Sequence, residues 1–189
     1  MTERETLALY EKTGGLLRGH FRLTSGLHSD LYLQSALVLQ YPELATRLGL
    51  ALAAPFREAG VGAVLAPAIG GIVVAHEVAR ALGTRALFTE RVDGVMSLRR
   101  GFSVSAGERC LVVEDVITTG GSTREVVACV GAQGGVAVGV GALIDRSGGA
   151  ARFSVPHHAL ARVSASTWSA ESCPLCRTGS PAVKPGSRS

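Results

Sequence analysis

The sequence predicts an α/β fold: a central, mostly parallel sheet flanked by helices, with a small N-terminal hood. Apolar runs at 61–67, 109–115 and 136–144 are bounded by turn residues, the pattern of strands buried on both faces. The first two lead through glycine-containing turns into helix-forming segments, the strand-to-helix repeat of a parallel sheet. Residues 15–34 alternate instead, and stand outside that repeat as a hairpin.

Taken in order, residues 3–13 read as a short helix ended by Gly14-Gly15. The hairpin turns at Ser25-Gly26 and forms the hood. Leu44, Leu48, Leu52 and Phe56 recur every four residues, an apolar helix stripe. Pro42 sits in its first turn, Pro55 kinks its last and Gly60 closes it. Val61 to Pro67 is a strand, Ala68-Ile69-Gly70-Gly71 its turn, and 72–82 the next helix. Thr84 to Thr89 is a third strand, followed over 90–101 by a segment carrying Arg91, Arg99 and Arg100. A strand over 109–115, a helix over 122–132 and a strand over 136–144 come next. Beyond Gly148-Gly149 a short β segment near 160–165 gives way to a tail with Pro174, Pro181 and Pro185. We expect one domain over 1–189, with a hood at about 1–40, a core at about 41–165 and a tail at about 166–189.

Composition narrows the class. The chain has 189 residues, long enough to bury roughly 70% of its unfolded surface. Hydrophobic residues are 47% and charged residues 18%, which marks a globular chain. A net charge of +4 is modest and suits an anionic small substrate as well as nucleic acid, so it decides little. No apolar run reaches the roughly 18 residues of a membrane span, and no apolar signal core follows Glu3, Arg4 and Glu5. Four cysteines do not make a disulfide scaffold, so a cytoplasmic location is expected.

The chemistry concentrates at Leu111 to Thr123. An apolar strand ends in Glu114 and Asp115, where open α/β sheets bind ligands. Val116, Ile117, Thr118, Thr119, Gly120, Gly121 and Ser122 then lead into a helix. Small residues at a helix start let backbone N–H groups converge on an anion, and the hydroxyls add donors. No Lys follows, so this is not a Walker loop. A phosphate cradle beside two acids suits a sugar phosphate: the acids accept from ribose hydroxyls or help hold a divalent cation. Asp145-Arg146 ends the following strand on the same sheet edge, where Arg146 suits a planar carboxylate or forms a local ion pair with Asp145.

These residues carry a resemblance. Val112 to Ser122 resembles the phosphoribosyl diphosphate signature of type I phosphoribosyltransferases. Phe21 to Tyr32, which includes Thr24, Ser25, Gly26 and Asp30, is similar to the N-terminal segment of the orotate phosphoribosyltransferases, as Ala142 to Arg146 is to their later strand end. The likeness covers about 5–165 and implies transfer of ribose 5-phosphate from phosphoribosyl diphosphate to orotate in pyrimidine synthesis. It implies Mg²⁺ carried by the diphosphate with no direct protein ligand, a homodimer, and no nucleic-acid or membrane partner. Phosphoribosyl diphosphate would meet Ile69, Gly70, Gly71 and Glu114 to Ser122; orotate would meet Thr24, Tyr32, Leu33, Thr118 and Arg146. Glu114, Asp115 and Arg91 would be catalytic, Arg91 by reaching a neighbouring subunit's site from a mobile loop. Tyr32 and Leu33 fit hairpin core equally well. Where many relatives carry Lys this chain has Gly70, and the expected loop has no Lys or His, so the charge comes from elsewhere or from backbone N–H groups and metal. Alternatives are a purine-base phosphoribosyltransferase or a phosphoribosyl-diphosphate-sensing regulator.

Cys173-Pro174-Leu175-Cys176 has zinc-knuckle spacing but no second cysteine pair. Either His157 and His158 complete a site or the two thiols pack under the tail.

Overall fold

The computed structural model describes residues 1–23 and 25–185. Helix α1 (Glu3–Lys12) starts with a capping box: the Glu5 N–H donates to Thr2 Oγ1 at 3.2 Å, and the Thr2 N–H donates to Glu5 Oε2 at 2.7 Å. Strands β1 (Leu16–Arg22) and β2 (His28–Leu33) form the expected antiparallel hairpin. After α2 (Ala36–Leu39), α3 (Pro42–Ala53) carries the apolar stripe. Its end tightens into a 3-10 segment, Ala54–Ala59, where Pro55 cannot continue an α-helix, and Gly60 stops it at φ +59°.

The main sheet follows: β3 (Ala63–Pro67), α4 (Gly71–Leu82), β4 (Arg85–Val92), β5 (Val95–Leu98), β6 (Arg109–Ile117), α5 (Gly121–Ala132), β7 (Val136–Asp145) and β8 (His157–Arg162). Its order is β5-β4-β3-β6-β7-β8, parallel except at β5. Helix crossovers place the carboxyl ends of β3, β6 and β7 along one edge. The strand side chains divide by parity. Val64, Ala66, Leu111 and Val113 join Leu48, Leu52, Val74 and Val78 of α3 and α4; Ala63, Leu65, Cys110 and Val112 join Val126 and Val130 of α5. Burying each of the larger side chains contributes about 1.5–3 kcal/mol. Both faces are covered, which is why these strands read as unbroken apolar runs.

Two expectations are corrected. The third strand does not stop at Thr89: it continues to Val92 and returns through Asp93-Gly94 into β5, with Val92 opposite Val95. Both turn residues have positive φ, +50° and +84°, as a two-residue hairpin requires, so a tight ribbon occupies part of the segment read as a loop. His157 and His158 lie on β8 in the main sheet, with the His157 ring against Phe153, and do not join the Cys173–Cys176 pair.

The tail returns to the N-terminal hairpin. Strand β9 (Thr167–Trp168) pairs with β2 to make a three-stranded hood sheet, and α6 (Pro174–Arg177) follows. Val183 then runs beside β1: its N–H donates to the His20 carbonyl at 2.9 Å, and the Arg22 N–H donates to its carbonyl at 2.8 Å. Among the described residues, no helix is long and apolar enough to cross a membrane.

Candidate active site

Strand β6 runs two residues past the expected end, to Ile117, so both acids lie within the strand and alternate across the sheet. Glu114 Oε2 accepts from Thr123 Oγ1 on α5 at 3.0 Å. The Asp115 carboxylate lies on the opposite face, against the turn between β3 and α4: a Cβ on Gly70 would stand 2.7 Å from its Oδ1. Any longer side chain at 70 would displace that carboxylate, which accounts for glycine at this position. Ile69 beside it is 85% exposed at the sheet edge, and Gly71 begins α4.

Burial and the neighbouring Asp115 charge push the Glu114 carboxyl up to about 8, with the Thr123 hydroxyl acting against them. Near neutral pH the Glu114 carboxyl is therefore mostly protonated. The folded chain holds this proton more tightly than the unfolded chain. Stability present at an ordinary carboxyl value of 4.5 is accordingly lost as pH rises to about 8. Glu114→Gln removes that loss, so its melting temperature should exceed that of the parent chain at pH 8.5 and converge with it at pH 5. Parallel melting curves across the range would refute the assignment.

Past Ile117, Thr118 to Ser122 wrap a small polar cradle of about 80 Å³ at the start of α5. Gly120 is required twice: its φ is +77°, and a Cβ there would sit 2.9 Å from Arg124 Nη1 and 3.1 Å from Phe153. The Arg124 guanidinium donates to the Thr119 carbonyl at 3.1 Å and to the Arg152 carbonyl at 3.5 Å. It brings positive charge to the anion cradle, and the sequence reading missed it. The available signal was a cation in the first turn of a helix, where the dipole disfavours one.

The Arg146 N–H donates to the Ile117 carbonyl at 2.8 Å, tying the two strand ends together. Asp145 is buried and accepts from the Ser147 N–H at 2.8 Å, so the alternative of an Asp145–Arg146 ion pair is not realised. Arg146 instead lines a cavity of about 370 Å³ with Thr118, Thr119, Ala151, Ala165 and Thr167, within the size range of small-molecule sites. Thr167 belongs to the hood, so the cavity lies between hood and main sheet. Burial pulls the Arg146 guanidinium down and Asp30 on β2 pulls it back up. Asp30 is itself held by the Ser166 N–H at 3.1 Å.

The other expected residues fall elsewhere. Tyr32 packs against Phe21 with ring centroids 5.9 Å apart, and Leu33 packs on the α1–α3 core; neither lines the Arg146 cavity. Thr24 lies outside the described residues. Arg91 forms an ion pair with Glu125 of α5 at 2.8 Å and donates to the Gly94 carbonyl at 2.6 Å. Arg100 pairs with Glu90, both nitrogen contacts being 2.8 Å, and lies over the Phe88 ring. The Arg91–Glu125 pair ties the β4–β5 ribbon to α5 of its own chain, and the other contacts hold the ribbon together.

A phosphate cradle after paired strand-end acids, with an arginine-lined cavity beside it, defines a phosphoribosyltransferase site, and the family model for the phosphoribosyl transferase domain matches residues 57–154. The orotate phosphoribosyltransferase of Pelotomaculum thermopropionicum is 56% identical over 188 residues, covering 100% of this chain and 99% of its own. That of Acidithiobacillus ferrooxidans is 52% identical over 192 residues, covering 100% and 98%. The crystal structure of the Aeropyrum pernix enzyme of the same name superposes with a TM-score of 0.66 at 26% identity, covering 82% of this chain and 92% of that one. The chain belongs to the orotate phosphoribosyltransferases.

Proposed function

We propose that the chain attaches ribose 5-phosphate from phosphoribosyl diphosphate to a ring nitrogen of orotate, releasing diphosphate, with each group held by the residues described above. The observation that carries this reading is the juxtaposition of the Thr118–Ser122 cradle with the Arg146 cavity across one shared wall, Thr118-Thr119. The 5-phosphate rests in the cradle on backbone N–H groups and hydroxyls at the α5 N-terminus, with Arg124 behind them. Asp115 and Glu114 take the ribose hydroxyls. The base enters beside Arg146, whose planar fork matches the orotate carboxylate; a purine offers no carboxylate there.

Reaction proceeds with positive charge developing on the sugar ring. Carboxylate charge at the strand end stabilises it, and closure of the hood keeps water from the reacting carbon. No side-chain nucleophile is required, because positioning and charge supply the catalysis. Mg²⁺ would arrive on the oxygens of the substrate diphosphate, as hard cations bound largely through phosphates do. Bound in this way, Mg²⁺ neutralises the charge of the departing diphosphate. The free cysteines fit a cytoplasmic setting.

The test is orotidine 5′-phosphate formation from orotate and phosphoribosyl diphosphate with and without Mg²⁺, with adenine and guanine as competing bases. Turnover of orotate alone, dependent on Mg²⁺, is expected. Turnover of a purine in its place would overturn the reading.

We place the working unit as a homodimer in which Arg91 meets diphosphate in the partner subunit after exchanging its contact with Glu125. Arg91→Ala and Asp115→Asn chains should each be nearly inactive. Unfolded and refolded together, they should regain activity, since a mixed dimer contains one site with Asp115 from one chain and Arg91 from the other. Absence of recovery would return Arg91 to a role within its own chain.

A further inference from the structure

We propose that His20, His28, Cys173 and Cys176 form a structural zinc site that fastens the C-terminal tail to the N-terminal hairpin. The four donor atoms, one from each residue, lie within 4.8 Å of one another. His20 Nε2 is 2.8 Å from His28 Nδ1, 3.4 Å from Cys173 Sγ and 3.7 Å from Cys176 Sγ, while Cys176 Sγ is 3.3 Å from His28 Nδ1. In a tetrahedron with Zn–N of about 2.0–2.1 Å and Zn–S of about 2.3 Å, the edges would be about 3.3 Å for N···N and about 3.6 Å for N···S. The two sulfur–nitrogen distances to His20 bracket the second figure. The nitrogen pair needs to separate by about half an ångström.

The surroundings are those of a ligand set. His20 Nδ1 lies 2.8 Å from the Ser180 carbonyl, which can only accept; this contact assigns the proton to Nδ1 and leaves the Nε2 lone pair facing the cluster. A backbone carbonyl behind a ligating histidine is the usual outer support of such a site. His20, His28 and Cys173 are 5%, 6% and 0% exposed, with Cys176 closing the solvent side. A single hydrogen bond between the rings would use two of the four groups and leave two sulfurs crowded on the same nitrogens. Two thiolates and two neutral imidazoles balance the charge of one Zn²⁺, and an S₂N₂ set favours zinc among the common divalent ions.

Local geometry builds the site. Arg18 pairs with Leu31 and Phe21 with Ser29, so β1 carries one extra residue between them. This bulge allows consecutive residues, His20 and Phe21, both to be buried. The Cys-x-x-Cys step comes from the single turn of α6. The metal would thus join segments 153 residues apart, at the end of the sheet where His28 pairs with Trp168 of β9. It is separate from the Mg²⁺ carried by the diphosphate and does not depend on the substrate assigned above.

Protein purified without chelators should contain about one zinc per chain. Cobalt(II) exchanged into it should show tetrahedral d–d bands and a thiolate charge-transfer band. Removing zinc should expose Cys173 and Cys176 to thiol reagents and lower the melting temperature. Cys176→Ser and His28→Ala should bind zinc at least roughly 100-fold more weakly, since loss even of an outer partner costs 10- to 100-fold. Parent protein that contains no zinc and takes up none when reduced would overturn the proposal. So would zinc binding unchanged in Cys173→Ser/Cys176→Ser.

Discussion

Asp115→Asn should lower kcat roughly 100-fold, a loss of about 2.7 kcal/mol of transition-state stabilisation, while leaving the fold intact. The substitution preserves shape, so the close packing of the side chain on Gly70 survives. What disappears is the negative charge. With Asp115 neutral, Glu114 no longer meets a like charge, and one of the two causes raising its pKa is removed. Glu114 can then ionise more readily, yet its Oε2 is engaged by Thr123 on the opposite face of β6. Held there, it does not take over the place that Asp115 occupies against Gly70. The activity-versus-pH profile of the Asn variant should therefore shift to lower pH at its reduced maximum. Unchanged kcat would remove Asp115 from the site, and a kcat loss with an unshifted profile would show that the Asp115 charge does not act on Glu114.

The parts legible in the sequence were those whose cause is local. The phosphate cradle occupies one continuous stretch, and its glycine and hydroxyl residues announce the turn they make. The middles of strands β3, β6 and β7 are apolar because both faces are covered, and that pattern survives in one dimension. The β4–β5 ribbon also had a local signal, Asp93-Gly94 between alternating residues, which a loop expected from the family resemblance concealed.

Nonlocal pairing was illegible. Two residues, Thr167 and Trp168, are too few to show a strand period, yet by joining β2 they close the hood and put Thr167 on the cavity wall. Asp30 is 116 positions from Arg146, and only the folded hood brings its charge to bear. Cys173 and Cys176 displayed a ligand spacing without its complement, because the histidines belong to a hairpin at the other end of the chain and one of them is buried through a bulge. For Tyr32 and Leu33 the strand period left two faces open, and the packing on Phe21 and the α1–α3 core comes from residues elsewhere in the chain.

Arg146→Ala should raise the KM for orotate by roughly 30- to 100-fold, with little change in the KM for phosphoribosyl diphosphate. Losing a charge-assisted pair with a carboxylate costs about 2–3 kcal/mol, and each 1.4 kcal/mol is tenfold. The sugar diphosphate is held by the cradle; the Arg146 backbone N–H fixes the adjoining strand end through the Ile117 carbonyl, and alanine retains that bond. A second effect acts in the same direction. Without the guanidinium, the Asp30 charge that acts on this position is no longer balanced, so an orotate carboxylate entering beside it is repelled. Arg146→Ala/Asp30→Asn should accordingly recover part of the orotate affinity lost in the single variant. Arg146→Lys should fall between, since an ammonium supplies the charge without the planar two-point match. Equal increases in both KM values would mean that Arg146 supports the whole strand-end edge rather than the base, and Asp30→Asn would then bring no recovery.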